Sequence, residues 1–311
     1  MAPEWTPDRT VSVEQAAAVV AAHAPHLADL PVRPFDQGWD NTVLAVGTQW
    51  LFRFVHRAVA LDGARRELVV LAHLATSAPL PLPVPVPLVV GQEPAGPGEG
   101  TTAWPFWGAR ILPGVELARS GLPDADRCAV ATAVGGFLRA LHGPELARWG
   151  AAAGLPVDPL HRSDPAVVVP RARARLDRLA ATGRWRPDPR VEALLARAAG
   201  LDRPVGGEVL VHGDLHVRHV LVDGAAASGV IDWGDTALAD PCVDLMIGWA
   251  AFNGSARRAF RTAYGPVSPD RELRARVLAV SVSTLLAAQA AEEGSTVLLT
   301  EALRAIERAA T

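Results

Sequence analysis

The chain has 311 residues and a mass of 32.7 kDa, enough to bury a large core as two domains or one two-lobed domain. Half of the residues are apolar and a fifth are charged, which argues against disorder. A formal net charge of −3 argues against a nucleic-acid binder that works by broad phosphate neutralisation. All 30 basic residues are arginine, so any phosphate contact that lysine would ordinarily make falls to Arg or His. Cys128 and Cys242 stand far apart without metal or disulfide spacing and read as two reduced thiols. The acidic start, Met1-Ala-Pro-Glu-Trp5, has no signal-peptide pattern, and Val277–Ala291 is too short and too interrupted by polar residues to span a bilayer. The expectation is a soluble, cytoplasmic protein without membrane or nucleic-acid partners.

Val13–Ala24 reads as a helix, with a capping box at Ser12 and Gln15 and closure at Pro25. Three strands follow, Val32–Phe35, Thr42–Val46 and Gln49–Val55. The loop Asp36–Asn41 and the tight turn Gly47-Thr48 join them, and hairpins are the simplest connections across such gaps. Arg65–Ala75 has helical spacing, with Leu68, Leu71 and Leu74 on one face and Glu67 near its start. From Pro79 to Pro87 proline takes every second position, the pattern of an extended connector. Gln92–Thr102 reads as a Gly/Pro/Glu hairpin tip and Trp104–Leu112 as a strand that Pro113-Gly114 breaks. The lobe boundary is placed at that break: residues 1–113 form a small, strand-rich lobe and 114–311 a larger one.

Beyond it, Ala125–His142 is a strong amphipathic helix. Asp158–Pro170 reads as irregular, a lid or an acceptor-site insert. Ala172–Ala181 and Val191–Ala199 are further helices. After the block Val209–Asp235, helices return at Pro241–Phe252, Ser255–Tyr264, Pro269–Ala291 and Thr296–Ala310. Arg171, Arg173, Arg175 and Arg178 read as a solvated helix face.

The chemistry is concentrated in that block. Val209–Val211 and Val220–Val222 are short β-rich runs flanking His212–His219. Asp214 sits on the turn, where a carboxylate can reach a substrate hydroxyl without competing for ladder hydrogen bonds. A general base in phosphoryl transfer needs little beyond placement and an ionised state. Gly229–Asp232 delivers a second acid after a buried strand, suited to hold Mg²⁺ against polyphosphate oxygens. The spacing lets the two turns lie side by side on an antiparallel ribbon. His219, five residues after Asp214, can offer an imidazole to a metal. One Asp in a turn is usually a cap and one His usually a satisfied structural group. The combination His212-Gly-Asp-x-x-x-x-His219 with Ile231-Asp-Trp points instead to a site that binds a metal-nucleotide and deprotonates a hydroxyl.

His212-Gly-Asp-Leu-His216, Ile231-Asp-Trp-Gly-Asp235 and Asp240-Pro-x-x-Asp244 resemble the motifs of the aminoglycoside phosphotransferase family of antibiotic kinases. Gly38-Trp-Asp-Asn41, Phe52-Arg-Phe54, Arg66-Glu67, Leu112-Pro-Gly114 and Leu138-Arg-Ala-Leu-His142 extend the likeness to most of the chain. The resemblance implies an α+β, bilobal, protein-kinase-like fold. Its N-lobe is small and β-rich with one main helix, and its C-lobe is larger and mostly helical. Asp214 would be the base or orienting carboxylate, with Asp232 and His219 as metal ligands. Arg53, paired with Glu67, would hold the α- and β-phosphates, Gly38 would lie in the first nucleotide loop, and the backbone from Ile111 to Gly114 would receive the base. Mg²⁺ and ATP or GTP are implied, with a small hydroxylated acceptor and a monomer or homodimer. Arg53 in place of a strand-three Lys, and His219 in place of a loop Asn, resemble the macrolide phosphotransferase branch, which tends to prefer GTP.

The leading expectation is a kinase acting on a hydroxyl of an aminoglycoside or macrolide. A polycationic acceptor would need carboxylates, for which Glu292, Glu293 and Glu301 are candidates, whereas a macrolide would need an apolar cleft, for which Pro269–Leu299 has the composition. The alternatives are a metabolite kinase for choline, homoserine, a sugar or fructosamine, and a non-catalytic nucleotide-binding pseudokinase.

Overall fold

In a computed structural model of the chain, which describes residues 7–38, 40–77, 80–93 and 103–311, the capping box at Ser12 is formed and starts α1 (Val13–His23). The N-terminal residues, Trp39, Pro79 and residues 94–102 of the expected hairpin tip lie outside the described residues. The chain divides into two compact units, residues 1–79 with 84–112, and residues 80–83 with 113–311.

The first unit is built on an antiparallel sheet of β1 (Val32–Gln37), β2 (Asn41–Val46) and β3 (Trp50–Val55), followed by α2 (Leu61–Ser77), β4 (Val89–Glu93) and β5 (Trp104–Arg110). The strand order is β1-β2-β3-β5-β4. β4 is absent from the sequence-based reading, because its proline-rich approach and Gly91 mask a strand that pairs, among the described residues, with β5 alone. Alternation along β3 buries Trp50, Phe52 and Phe54 against Phe106 and α1. It leaves Arg53 on the opposite face, in register with Val43 and Trp107. On α2, Leu61, Ala64, Glu67, Val70, Leu71 and Leu74 are buried, so Glu67 and not Leu68 belongs to the inward face.

The second unit runs through β6 (Val115–Glu116), α3 (Cys128–Leu141), α4 (Pro144–Ala152), α5 (Pro165–Ala181) and α6 (Pro189–Ala198). It continues with β7 (Val209–Val211), β8 (Val220–Asp223), β9 (Ala226–Val230) and β10 (Ala237–Ala239). The chain ends in α7 (Cys242–Leu245), α8 (Ile247–Ala250), α9 (Gly254–Tyr264), α10 (Pro269–Glu292) and α11 (Thr296–Ala310). Three readings are corrected here. The irregular stretch expected to Pro170 gives way at Pro165 to helix, because Asp164 caps α5 and Pro165 takes its first turn, where a missing N–H costs nothing. Arg175 turns inward and donates to Ser281 Oγ and its carbonyl at 3.3 Å, so the arginine face of α5 is not wholly solvated. α10 is long and apolar enough to span a membrane by length and composition, but most of it is buried within the structure, as befits a core helix.

The site strands form two small sheets, β10-β7 and β6-β8-β9. The turn of Asp214 therefore leaves a strand paired with β10, and the single ribbon expected for both acids is replaced by a loop bridging two sheets. Ile231 N–H donates to the His219 carbonyl at 3.0 Å and fastens the two acidic segments side by side.

Candidate active site

Each unit carries its own group of candidate residues. In the first, the Arg53 guanidinium donates to Glu67 Oε1 at 2.8 Å and lies over the Trp107 ring, 5.3 Å from its centroid. Glu67 is only 2% exposed, and a carboxylate that deep needs such a partner. Gly38 closes the β1–β2 turn through its N–H to the Asn41 carbonyl at 3.0 Å. Ile111 N–H donates to the Gln49 carbonyl at 2.9 Å, so that backbone donor is already paired.

In the second unit, Gly114 has φ 102 and an added Cβ would sit 2.4 Å from the Val222 carbonyl oxygen, so only glycine fits. The Pro113 carbonyl accepts from Ser228 Oγ at 2.6 Å.

The loop after β7 is fixed from beneath. Asp244, fully buried, accepts the N–H of His212 at 2.7 Å and of Gly213 at 2.9 Å, and its Oδ2 lies 3.2 Å from His142 Nε2. Tyr264 Oη backs the other ring nitrogen of His142 at 3.0 Å. Gly213 has φ 91, and a Cβ there would meet the Asp235 carbonyl oxygen at 2.1 Å. Trp233 is buried beside His212 and Phe137, a core residue whose indole N–H donates to the Val230 carbonyl. Asp240 caps Cys242 and pairs with Arg271 at 3.0 Å.

Three histidines acquire defined proton positions from their partners. A backbone N–H donates to Nδ1 of His212 (from Asp214, 3.2 Å) and of His216 (from Arg218, 3.3 Å), so their protons sit on Nε2. His216 Nε2–H then faces Asp214 Oδ2 at 3.5 Å. His219 is opposite in sense. Its Nδ1 donates to the Asp214 carbonyl at 2.7 Å, since a carbonyl can only accept. Its Nε2 faces Asp232 Oδ2 at 3.5 Å. Burial, with His216 alongside, pushes His219 below the ordinary imidazole range against the pull of Asp232 and Asp214. A neutral ring therefore points a lone pair at a carboxylate oxygen, and the two are ligands that a divalent cation would bridge. Asp232 adopts φ 69, a left-handed conformation that an Asp tolerates. His216 and His219 stack with centroids 3.9 Å apart, and Asp214, His216 and His219 offer ligand atoms within 4.8 Å of one another.

The sequence-based reading misses Arg162. Its Nη2 lies 3.2 Å from Asp214 Oδ1 and 2.8 Å from Asp235 Oδ2, while Nη1 donates to the Gly213 carbonyl. Burial opposes ionisation of Asp214, but Arg162, His216 and His219 outweigh it and hold the carboxyl well below the usual carboxylate range. Burial and the neighbouring Asp214 and Asp232 raise Asp235 despite Arg162. Only the insert-like composition of 158–170 hinted at a site residue there. Glu301, expected as an acceptor contact, is instead buried between Arg127 and Arg308 at 2.7 and 2.8 Å.

Residues 31–277, well over half of the chain, match the model of a phosphotransferase enzyme family. No curated protein matches the chain. Among solved structures, the chain is similar to the GDP and kanamycin complex of APH(2")-IIia, at 19% identity over 94% of this chain and 97% of that one, with a TM-score of 0.67. The apoenzyme of the macrolide 2'-phosphotransferase MphH from Brachybacterium faecium is 24% identical over 93% and 97%, with a TM-score of 0.58. The streptomycin-ATP-APH(2")-IIa ternary complex is 14% identical over 96% and 97%, with a TM-score of 0.57. At these identities the likeness carries the α+β fold, with an antiparallel sheet in the first unit and helices in the second.

Proposed function

We propose that this chain, which belongs to the phosphotransferase enzyme family, transfers the γ-phosphoryl group of ATP or GTP to a hydroxyl of an antibiotic of the aminoglycoside or macrolide type. The observation that carries this reading is His219, whose two ring nitrogens face the Asp214 carbonyl and the Asp232 carboxylate at 2.7 and 3.5 Å. One side chain thus ties an acceptor-facing acid to a metal-facing acid. The GDP and ATP complexes among the similar structures support a nucleotide donor, and their kanamycin and streptomycin support an antibiotic acceptor.

In this reading Asp214 orients the acceptor hydroxyl. The acceptor oxygen–phosphorus bond forms as the bond from Pγ to the bridging oxygen breaks. The nucleoside diphosphate leaves, and the hydroxyl proton passes to Asp214 and on to solvent. A carboxyl held so far below the usual range is ionised at any working pH but a weak proton store, so its contribution is mainly placement and charge. Asp232 and His219 would hold Mg²⁺, which when bound offsets the negative charge of the phosphates. Arg53, braced by Glu67, would contact the α- and β-phosphates, with bidentate rather than point-charge geometry. Gly38 would lie over the phosphates, and the backbone of Ile111 and Gly114 would flank the base. Residues 1–113 would thus be the nucleotide lobe and 114–311 the catalytic and acceptor lobe.

The test is calorimetric titration of GDP and ADP with and without Mg²⁺. Metal-dependent nucleotide binding that is lost in Asp232→Ala and weakened in His219→Ala supports the reading. Binding indifferent to both substitutions overturns it.

A further inference from the structure

Arg162 is a built part of the site and not a loosely attached surface group. The backbone that presents it is tied by Asp158, a left-handed residue at φ 39. The Asp158 carboxylate accepts Arg162 N–H at 2.8 Å, Ser163 N–H at 3.0 Å and the Ser163 hydroxyl at 2.5 Å. Asp158 N–H in turn donates to the Leu238 carbonyl on β10 at 2.8 Å. The guanidinium is thereby delivered to three acceptors: Asp235 Oδ2 at 2.8 Å, Asp214 Oδ1 at 3.2 Å and the Gly213 carbonyl. Its side chain is 21% exposed, so it meets solvent beside the carboxylate that would face an acceptor.

This position is the one that the ammonium group of a cationic acceptor would seek. A hydroxyl presented to Asp214 brings its neighbours against Asp235, and both carboxylates already share an intramolecular cation. A substrate ammonium there must displace an arginine held by three acceptors or lie beside a like charge, and like-charge juxtaposition is an effective means of rejecting a ligand.

We propose that Arg162 is a specificity-determining residue: it occupies the seat of a substrate ammonium on Asp214 and Asp235, disfavours polycationic acceptors, and leaves the site to acceptors of low positive charge. The inference rests on the reading of Asp214 as the acceptor-facing acid.

The experiment is calorimetric titration of kanamycin into the protein with GDP and Mg²⁺ bound. The expectation is weak binding to the wild type, insensitive to salt. Arg162→Met, which frees two carboxylates, gains at least tenfold in kanamycin affinity, and this gain is lost at high salt and in the double variant Arg162→Met/Asp235→Asn. Arg162→Lys, which keeps the charge, gains nothing. Tight, salt-sensitive kanamycin binding by the wild type overturns the proposal, as does a gain in Arg162→Lys equal to that of Arg162→Met. The wild-type titration stands even if Arg162→Met fails to fold. GDP binding, measured first, separates the two claims: a chain that binds no nucleotide undermines the kinase reading, whereas a nucleotide-bound chain that takes kanamycin tightly overturns the role of Arg162.

Discussion

Replacing Glu301 by alanine distinguishes a buried structural acid from an acceptor contact. Glu301 Oε1 accepts from Arg127 Nη1 at 2.7 Å and from Arg308 Nη1 at 2.8 Å, and its Oε2 accepts from Arg127 Nη2 at 3.1 Å. Arg308 keeps a second acid, Asp124, at 2.6 Å, while Arg127 retains the carbonyls of Leu122 and Ala251 at 3.0 Å. Breaking a buried ion pair by removing one partner costs about 3–5 kcal/mol, and the remaining acceptors put this case near the lower end, about 3–4 kcal/mol. The unit that contains it has roughly 200 residues, whose unfolding entropy of about 0.4 kcal/mol/K converts that loss to a fall in Tm of roughly 8–10 °C. Burial opposes ionisation of Glu301, but its arginine contacts outweigh it and lower its pKa from an ordinary 4.5. Its stabilising contribution is therefore present above pH 4.5 and is lost as pH falls through the folded-state value, so the Tm gap between wild type and variant should close in acid. Scanning calorimetry at neutral and acid pH measures both effects, and steady-state kinetics supplies KM for the acceptor. An unchanged Tm together with a raised acceptor KM would instead make Glu301 an acceptor contact.

Three further outcomes follow from the loop after β7. Asp244→Asn keeps the size but cannot accept every N–H that now reaches the carboxylate. It should cost about 2–4 kcal/mol of stability, and misplacement of Asp214 should lower kcat by about 10–100-fold, which melting curves and initial rates will check. Gly213→Ala forces a Cβ against the Asp235 carbonyl at φ 91 and should be inactive and less stable, whereas Gly136→Ala, inside α3 with open space around it, should melt at or slightly above wild type. His219 is a metal ligand only when neutral, and its pKa is lowered from 6.5. The midpoint of the acid limb of activity should accordingly lie below pH 6.5, and His219→Asn should lack that limb. An acid limb with its midpoint above pH 6.5 in the wild type would contradict the assignment.

Local chemistry made much of this architecture legible. The capping box at Ser12, the periodicity of α3 and α11, and the acids that follow β7 and β9 are properties of a few neighbouring residues. What escaped reading depends on distant partners. Glu67 lies on the buried face of α2 because Arg53 on another element receives it, and hydrophobic spacing alone favours Leu68. Pro165 and Pro170 argue for a break, yet the first occupies a helix start and the second lies exposed within α5, between the buried Val169 and Ala172. Arg162 reaches the site through two left-handed residues, Asp158 and His161, that composition does not announce. Glu301 looks like a surface acid on an amphipathic helix until Arg127, 174 positions earlier, is found beside it.

Phosphoryl transfer at Asp214, supported by a metal at Asp232 and His219, is open to one decisive measurement. The purified chain is incubated with Mg²⁺ and ATP or GTP against aminoglycosides, macrolides and polyols, with mass spectrometry of the acceptors. One phosphoryl group is expected on an acceptor hydroxyl, abolished in Asp214→Asn while nucleotide binding persists. No phosphorylated acceptor from the folded wild type with either nucleotide, or a product undiminished in Asp214→Asn, would contradict it.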